Sequence, residues 1–374
     1  MKKLKIGFVY ILPDKATGIF LKINSQAKIV YQHNKSVRFI IFLQNFEIFN
    51  IDLPPNLIIE KIPKFPPKTG FYFTPKYIVN YCNHEGYNVI ITRLYGFSPF
   101  FFISFRRRNF KLIIEYHTII SNEYLRLKRY DLHILYLIFK KLSDKVIDGK
   151  MCVTNEIKKF ESFKNPMITI SNGYDNKIFD YPNYQPFDGK NLKILSVCSV
   201  LQPWHGLERL FQSVKIWQIN NPGLKIELDI VGDFNFSRFD ARILPNLVKF
   251  HGVKNKDEII EIAKNSNIAV SSLALYLNNM TEACPLKSRE YISIGIPFFY
   301  GYDDIDIPSD NIFGLKIPNE NNLIEISTIL VWLNNIKSNS IKLELDWHFL
   351  RKNISWEAKL KKYLDFVMEV QGFK

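Results

Sequence analysis

Short runs of consecutive apolar residues alternate with longer amphipathic stretches along most of the chain. Lys5 to Ile11, Val37 to Leu43, Val89 to Thr92, Leu112 to Tyr116, Met167 to Ile170, Ile194 to Val197, Ile226 to Val231, Ile268 to Ser271 and Pro297 to Tyr300 read as strands. Helix-length segments separate many of them, and strands alternating with helices across both halves predict two parallel-sheet α/β domains. The turn formers of Tyr181-Pro-Asn-Tyr-Gln-Pro-Phe-Asp-Gly189 mark the change of domain. The expected division is 1–180 and 190–350. A chain of 374 residues exceeds the roughly 250 to 300 that one core usually supports, and 47% hydrophobic content supplies apolar side chains for two.

The apolar runs are too short for a membrane span, which needs roughly 18 residues. The nearest, Leu132 to Phe139, is broken by His133 and has the length of a buried helix segment. The N-terminal Lys-Lys-Leu-Lys-Ile-Gly-Phe-Val-Tyr10 reads as a first strand, because its apolar stretch runs into Pro13 and Asp14 with no small-residue cleavage site. Cys82, Cys152, Cys198 and Cys284 are far apart and show no C-x-x-C spacing, which fits a reducing cytoplasm better than a disulfide framework or a zinc site.

Charge changes the picture of the first half. Residues 1–180 hold 28 Lys+Arg and 14 Asp+Glu, net +14; the remainder holds 50 − 28 = 22 and 36 − 14 = 22, net zero. Such a half points at an anionic partner: an acidic membrane surface, a lipid diphosphate or a nucleic acid. Arg106, Arg107 and Arg108 follow Phe100 to Phe102 and Phe105, and Arg126, Lys128 and Arg129 precede the run from Leu132. Basic residues interleaved with aromatics suit a membrane interface; a core helix with a solvated basic end is the competing reading.

Residues 282–297, Glu-Ala-Cys-Pro-Leu-Lys-Ser-Arg-Glu-Tyr-Ile-Ser-Ile-Gly-Ile-Pro, carry the most chemistry. Glu282 and Glu290 bracket seven residues, Pro285 favours a first helical turn, and Gly295 with Pro297 closes the helix. A helix N-terminus at Cys284, Pro285 and Leu286 would present orphan N–H groups and a positive dipole end to a phosphate. Carboxylates on either side suit a ligand with hydroxyls flanking a diphosphate, such as a nucleotide sugar.

Glu-x7-Glu ahead of a Gly-x-Pro strand resembles the donor site of the retaining GT-B glycosyltransferases, family 4 (group 1) in particular. Other segments resemble that family in the same order: Lys193 to Val197, Glu227-Leu-Asp-Ile-Val-Gly-Asp233, Val248-Lys-Phe-His-Gly-Val253 and the turn Ile170-Ser-Asn-Gly-Tyr-Asp175. The resemblance implies two Rossmann-like parallel-sheet domains facing a central cleft, with 354–370 as a C-terminal helix returning to the first. It implies that Glu290 holds the ribose hydroxyls, that Glu282 holds the donor sugar, and that His117 of Glu115-Tyr-His117 contacts that sugar from the first domain. Gly18, Gly232 and Val253 would lie beside the donor. Where relatives carry Arg and Lys on the diphosphate, this chain has Val200 and His205, so His205, titrating near ~6.5 unless perturbed, and Lys287 would have to supply the positive charge.

Asp304-Ile-Asp306 has the D-x-D pattern of a metal site, yet it lies beyond the Glu-x7-Glu helix, and no metal or other cofactor is expected. No Walker A loop, G-x-G-x-x-G or G-x-S-x-G occurs. The resemblance therefore implies a metal-independent, retaining transfer of a hexose from a nucleoside-diphosphate sugar to a saccharide or lipid-linked saccharide in surface polysaccharide or glycan assembly; the first domain would bind the acceptor, and its charge suggests a lipid-linked one at the cytoplasmic face of the membrane. A nucleotide-sugar epimerase or hydrolase on the same fold is one alternative. A nucleic-acid-binding protein using the basic half is another, against which stands the lack of any recognition motif.

Overall fold

The computed structural model describes residues 4–12, 17–43, 52–62, 70–93, 99–175, 182–233 and 247–372. Its contacts divide the chain into two units, one of Met1–Ser171 with Trp356–Lys374 and one of Asn172–Ser355.

The first unit is built on seven strands, β1 (Ile6–Ile11), β2 (Val37–Leu43), β3 (Leu57–Lys61), β4 (Val89–Arg93), β5 (Lys111–Tyr116), β6 (Gly149–Cys152) and β7 (Met167–Thr169). All pair in parallel, in the order β3-β2-β1-β4-β5-β6-β7. Between them run α1 (Thr17–His33), α2 (Gly70–His84), α3 (Pro99–Phe105), α4 (Ile120–Arg126), α5 (Tyr130–Ser143) and α6 (Asn155–Phe160). Strands covered on both faces must be apolar on both, and β1, β2 and β4 are buried almost throughout. The order reverses direction between β1 and β4, where open parallel sheets place their ligands.

The second unit holds six parallel strands, β8 (Asn191–Val200), β9 (Lys225–Asp233), β10 (Val248–Gly252), β11 (Ile268–Val270), β12 (Phe298–Tyr300) and β13 (Gly314–Lys316), in the order β10-β9-β8-β11-β12-β13. Its helices are α7 (Leu207–Asn220), α8 (Lys256–Lys264), α9 (Leu286–Ile294), α10 (Ile326–Ser338) and α11 (Ser340–Ile354). The corresponding reversal lies between β8 and β11.

Helix α12 (Trp356–Val370) belongs to the first unit. Its buried positions Trp356, Leu360, Tyr363, Phe366, Val367 and Val370 recur every three or four residues, one face of a helix. They share a core with α1 and the central strands, where Phe8 stacks on Phe39 at 4.6 Å and meets Tyr363 at 5.7 Å.

Gly18 lies in the first turn of α1, with open space around it. The run Leu132–Phe139 is helical within α5 but is not a buried segment, because Ile134, Leu135, Leu137 and Ile138 are exposed.

Candidate functional site

The centre of the candidate site is the N-terminus of α9. Tyr291 fixes the helix to the sheet: its hydroxyl accepts from the Val197 N–H at 2.9 Å and donates to the Val270 carbonyl at 3.1 Å, joining α9 to the ends of β8 and β11. Pro285 proves to be the N-cap, in extended conformation, and Leu286 the first helical residue. Proline has no side-chain oxygen, so the N-cap residue itself satisfies none of the first-turn N–H groups. At the other end Gly295 adopts φ +87°, and a Cβ there would come within 2.7 Å of the Pro182 Cα, so this end requires glycine.

Three groups gather beside the helix start. Lys287 Nζ lies 4.0 Å from the Cys198 thiol, and its ammonium acts on His205. Burial lowers the Lys287 pKa, so the cation is poorly solvated and would gain from an anion. Burial and then Lys287 push the His205 imidazole down to about 2. A desolvated ring facing a cation favours its neutral form, which argues against His205 as a source of positive charge. Its Nδ1 accepts from the Gln202 N–H at 3.3 Å, which leaves the proton on Nε2. His205 is held in place by the turn that follows: Gly206 sits at φ +70°, and a Cβ there would approach the Leu273 Cβ to 2.8 Å.

Glu290 belongs to a second group. Burial pushes its carboxyl up to about 7, against the charge of Lys256 and a hydrogen bond with Tyr174. The same desolvation, with the carboxylate nearby, holds the Tyr174 hydroxyl well above its usual range. Lys256 Nζ stands 5.6 Å from the centre of the Tyr174 ring. Nothing in the sequence alone singled out Tyr174 or Lys256 as partners of Glu290.

Glu282 is placed by a different device. Its backbone forms a bridge with Asp303: the Ala283 N–H donates to the Asp303 carbonyl at 2.9 Å, and the Asp303 N–H to the Thr281 carbonyl at 2.8 Å. The loop bearing Asp303 is pinned by Arg289, which is fully buried and bonded to both Asp304 carboxylate oxygens and, at 2.6 Å, to Asp306. Burial would favour loss of the Arg289 proton, but the two carboxylates more than offset it. The D-x-D pair is thus occupied by a guanidinium. A cavity of about 380 Å³ opens beside Glu282, with Tyr300, Asp303, Lys316 and Trp332 in its walls. Cys284 is buried, its thiol pushed up to about 11, and Asn172 Nδ2 donates to its carbonyl at 2.7 Å.

In the second unit Gly232 lies near the end of β9 with φ +141°, and Val253, just past β10, is 76% exposed. In the first unit His117 follows β5. Burial, with repulsion from Lys22 and Arg93, pushes its imidazole down to about 3 despite Glu115. Burial alone would raise the Glu115 carboxyl; contact with His117, the charge of Lys22 and the Tyr10 hydroxyl outweigh it and bring it down to about 2. Tyr10 and Tyr363 donate to its two oxygens at 3.1 and 3.2 Å. His117 Nε2 stands 3.7 Å from the Glu115 carboxylate, a charge contact longer than an ordinary hydrogen bond.

No protein-family model matches the chain, and no curated protein matches it in sequence. Solved structures share its fold. A glycosyltransferase from Rickettsia africae is 16% identical with a TM-score of 0.67, over 98% of this chain and 99% of its own. The lipopolysaccharide outer core galactosyltransferase WaaB is 12% identical with a TM-score of 0.67 over the same shares. HepE from Anabaena, solved with UDP, is 13% identical with a TM-score of 0.63, over 98% of this chain and 100% of its own. The two Rossmann-like parallel-sheet units are those of the GT-B fold.

Proposed function

We propose that the protein is a retaining glycosyltransferase that moves a hexose from a nucleoside-diphosphate sugar to a saccharide or lipid-linked saccharide, without a metal ion. One observation carries the reading: an uncapped helix N-terminus with the desolvated cation Lys287 beside it, set between Glu282 and Glu290. In this reading the α9 N–H groups and Lys287 take up the charge that grows on the leaving diphosphate. His205 adds a neutral N–H, and Lys287 is the cation on which that side of the site depends. Glu290 holds the ribose hydroxyls; Glu282 holds the donor hexose, its position kept by the Arg289-pinned loop. Retention follows if the departing phosphate accepts the acceptor's proton on the face it leaves, so no protein base is required. Because HepE was solved with UDP and with UDP and glucose, uridine is the base to try first.

The test is thermal shift against a panel of nucleotide sugars, since a ligand that binds only the folded state stabilises it, followed by NMR of the product's anomeric proton. Stabilisation by a uridine diphosphate sugar and an unchanged anomeric configuration are expected, in excess chelator as well as without it. An inverted product, or activity lost to chelator and restored by manganese, would defeat the mechanism.

A further inference from the structure

Helix α5 is built inside out. The stripe it turns inward is polar. Tyr136 donates to the buried Glu161 carboxylate at 2.9 Å, Lys140 Nζ lies 3.0 Å from the same carboxylate and 3.3 Å from Asp144, and His133 meets Ser121 at 3.2 Å. Glu161 is held in turn by Lys150, itself fully buried, so the inner face of α5 is fixed by an ionic network. The outward face is apolar: Tyr130, Ile134, Leu135, Leu137 and Ile138 are 45% to 59% exposed. Leu125 and Leu127, just before the helix, extend the patch. A helix on a water-facing surface normally turns its apolar stripe inward, and a contiguous exposed apolar patch marks an interaction site.

The charge around the patch identifies the occupant. Residues 120–145 contain Arg126, Lys128, Arg129, Lys140, Lys141 and Lys145 against Glu123, Asp131 and Asp144, six minus three or +3. Two of the three acids are spent locally, Asp131 on Arg129 and Asp144 on Lys140 and Lys150. Lys128 and Arg129 precede the apolar face and Lys141 and Lys145 follow it, all four exposed. A second copy of this chain would bring like charges together across the patch. An apolar face with basic ends matches acyl chains below anionic head groups. The helix has 14 residues, about 21 Å at 1.5 Å per residue, too short to cross a hydrocarbon core of roughly 30 Å.

We propose that α5, with the turn before it, docks the first unit on an anionic lipid bilayer, the helix lying in the interface plane with Ile134, Leu137 and Ile138 among the acyl chains. This rests on the surface of the first unit alone and stands whether or not the transferase reading does.

The experiment is flotation of the full chain with vesicles of phosphatidylcholine and phosphatidylglycerol, and with vesicles of phosphatidylcholine alone. The double variants Ile134→Ser/Ile138→Ser and Lys128→Gln/Lys141→Gln change only exposed positions, and unaltered thermal melts verify that they fold. The wild type should float with the mixed vesicles and far less with the neutral ones, and added salt should release it. The serine variant should lose binding, and the glutamine variant should bind about thirtyfold more weakly, the equivalent of two lysines at about 1 kcal/mol each. Binding indifferent to lipid charge, binding unchanged in the serine variant, or no binding at all would overturn the proposal. So would a dimer in sedimentation that Ile134→Ser/Ile138→Ser dissolves, which would assign the face to a second copy.

Discussion

Replacing Glu290 by Gln separates what this carboxyl does to the fold from what it does for a ligand. Burial raises its pKa from an ordinary 4.5 to about 7, so between those values the folded protein keeps a proton that the unfolded chain has released. The folded-state value is the higher one and the protonated form is favoured by folding; stability due to this group is therefore lost as pH rises through that window. At 1.36 kcal/mol per unit the shift corresponds to about 3 kcal/mol. The side chain is partly exposed, and screening by solvent brings the expected effect to about 1–2 kcal/mol. Gln has no proton to lose and can still accept from Tyr174. Urea denaturation at pH 5 and pH 8 should thus show the variant gaining on the wild type by that amount at the higher pH. A nucleoside diphosphate whose ribose hydroxyls meet the carboxylate should expel the proton on binding, which calorimetry near pH 6 detects as a dependence of the heat on the buffer; the variant should bind more weakly and show none. A wild-type stability difference that ignores pH, together with buffer-independent heats, would refute the argument.

Lys287→Met should lower turnover by about 10²- to 10³-fold, the usual loss for one group stabilising a developing charge, with a smaller change in nucleotide affinity read from KM against kcat. The His205 imidazole should not titrate between pH 5.5 and 8 by NMR, because burial beside Lys287 holds it down to about 2. Arg289→Met should cost about 3–5 kcal/mol in chemical denaturation, because it leaves the Asp304 carboxylate buried without its guanidinium. Glu282→Gln should lower transfer while sparing affinity for the free nucleoside diphosphate, which equilibrium binding checks.

The alternation of strands and helices was legible because a strand covered on both faces leaves an uninterrupted apolar run, as at Val37–Leu43 and Val89–Arg93. Strand β6 gave no such run, since Lys150 stands in its middle and is buried only by virtue of Asp144 and Glu161. The same limit applies at the candidate site. Glu282 and Glu290 stand out by spacing, whereas the environment that sets the Glu290 proton comes from Tyr174 and Lys256, distant in the chain. Asp304 and Asp306 offered a metal pattern, and only the fold shows Arg289 between them. The outward face of α5 was hidden for a related reason. An apolar run has the same composition whether it faces a core or a surface, and the polar residues that decide the matter, Glu161 and Lys150, lie beyond the helix.

The position of α12 has a consequence for biosynthesis. Trp356, Tyr363 and Phe366 occupy the core of the first unit, beside Phe8 and Phe39, although the whole second unit is translated in between. While the ribosome reads residues 172–355, the nascent first unit lacks that helix, and its apolar cradle on α1 and the central sheet is open to chaperones or to wrong partners. Completion of the N-terminal unit is thus tied to the emergence of the C-terminal one, so a chain cut short after α11 would carry an unfinished unit that quality-control proteases can recognise.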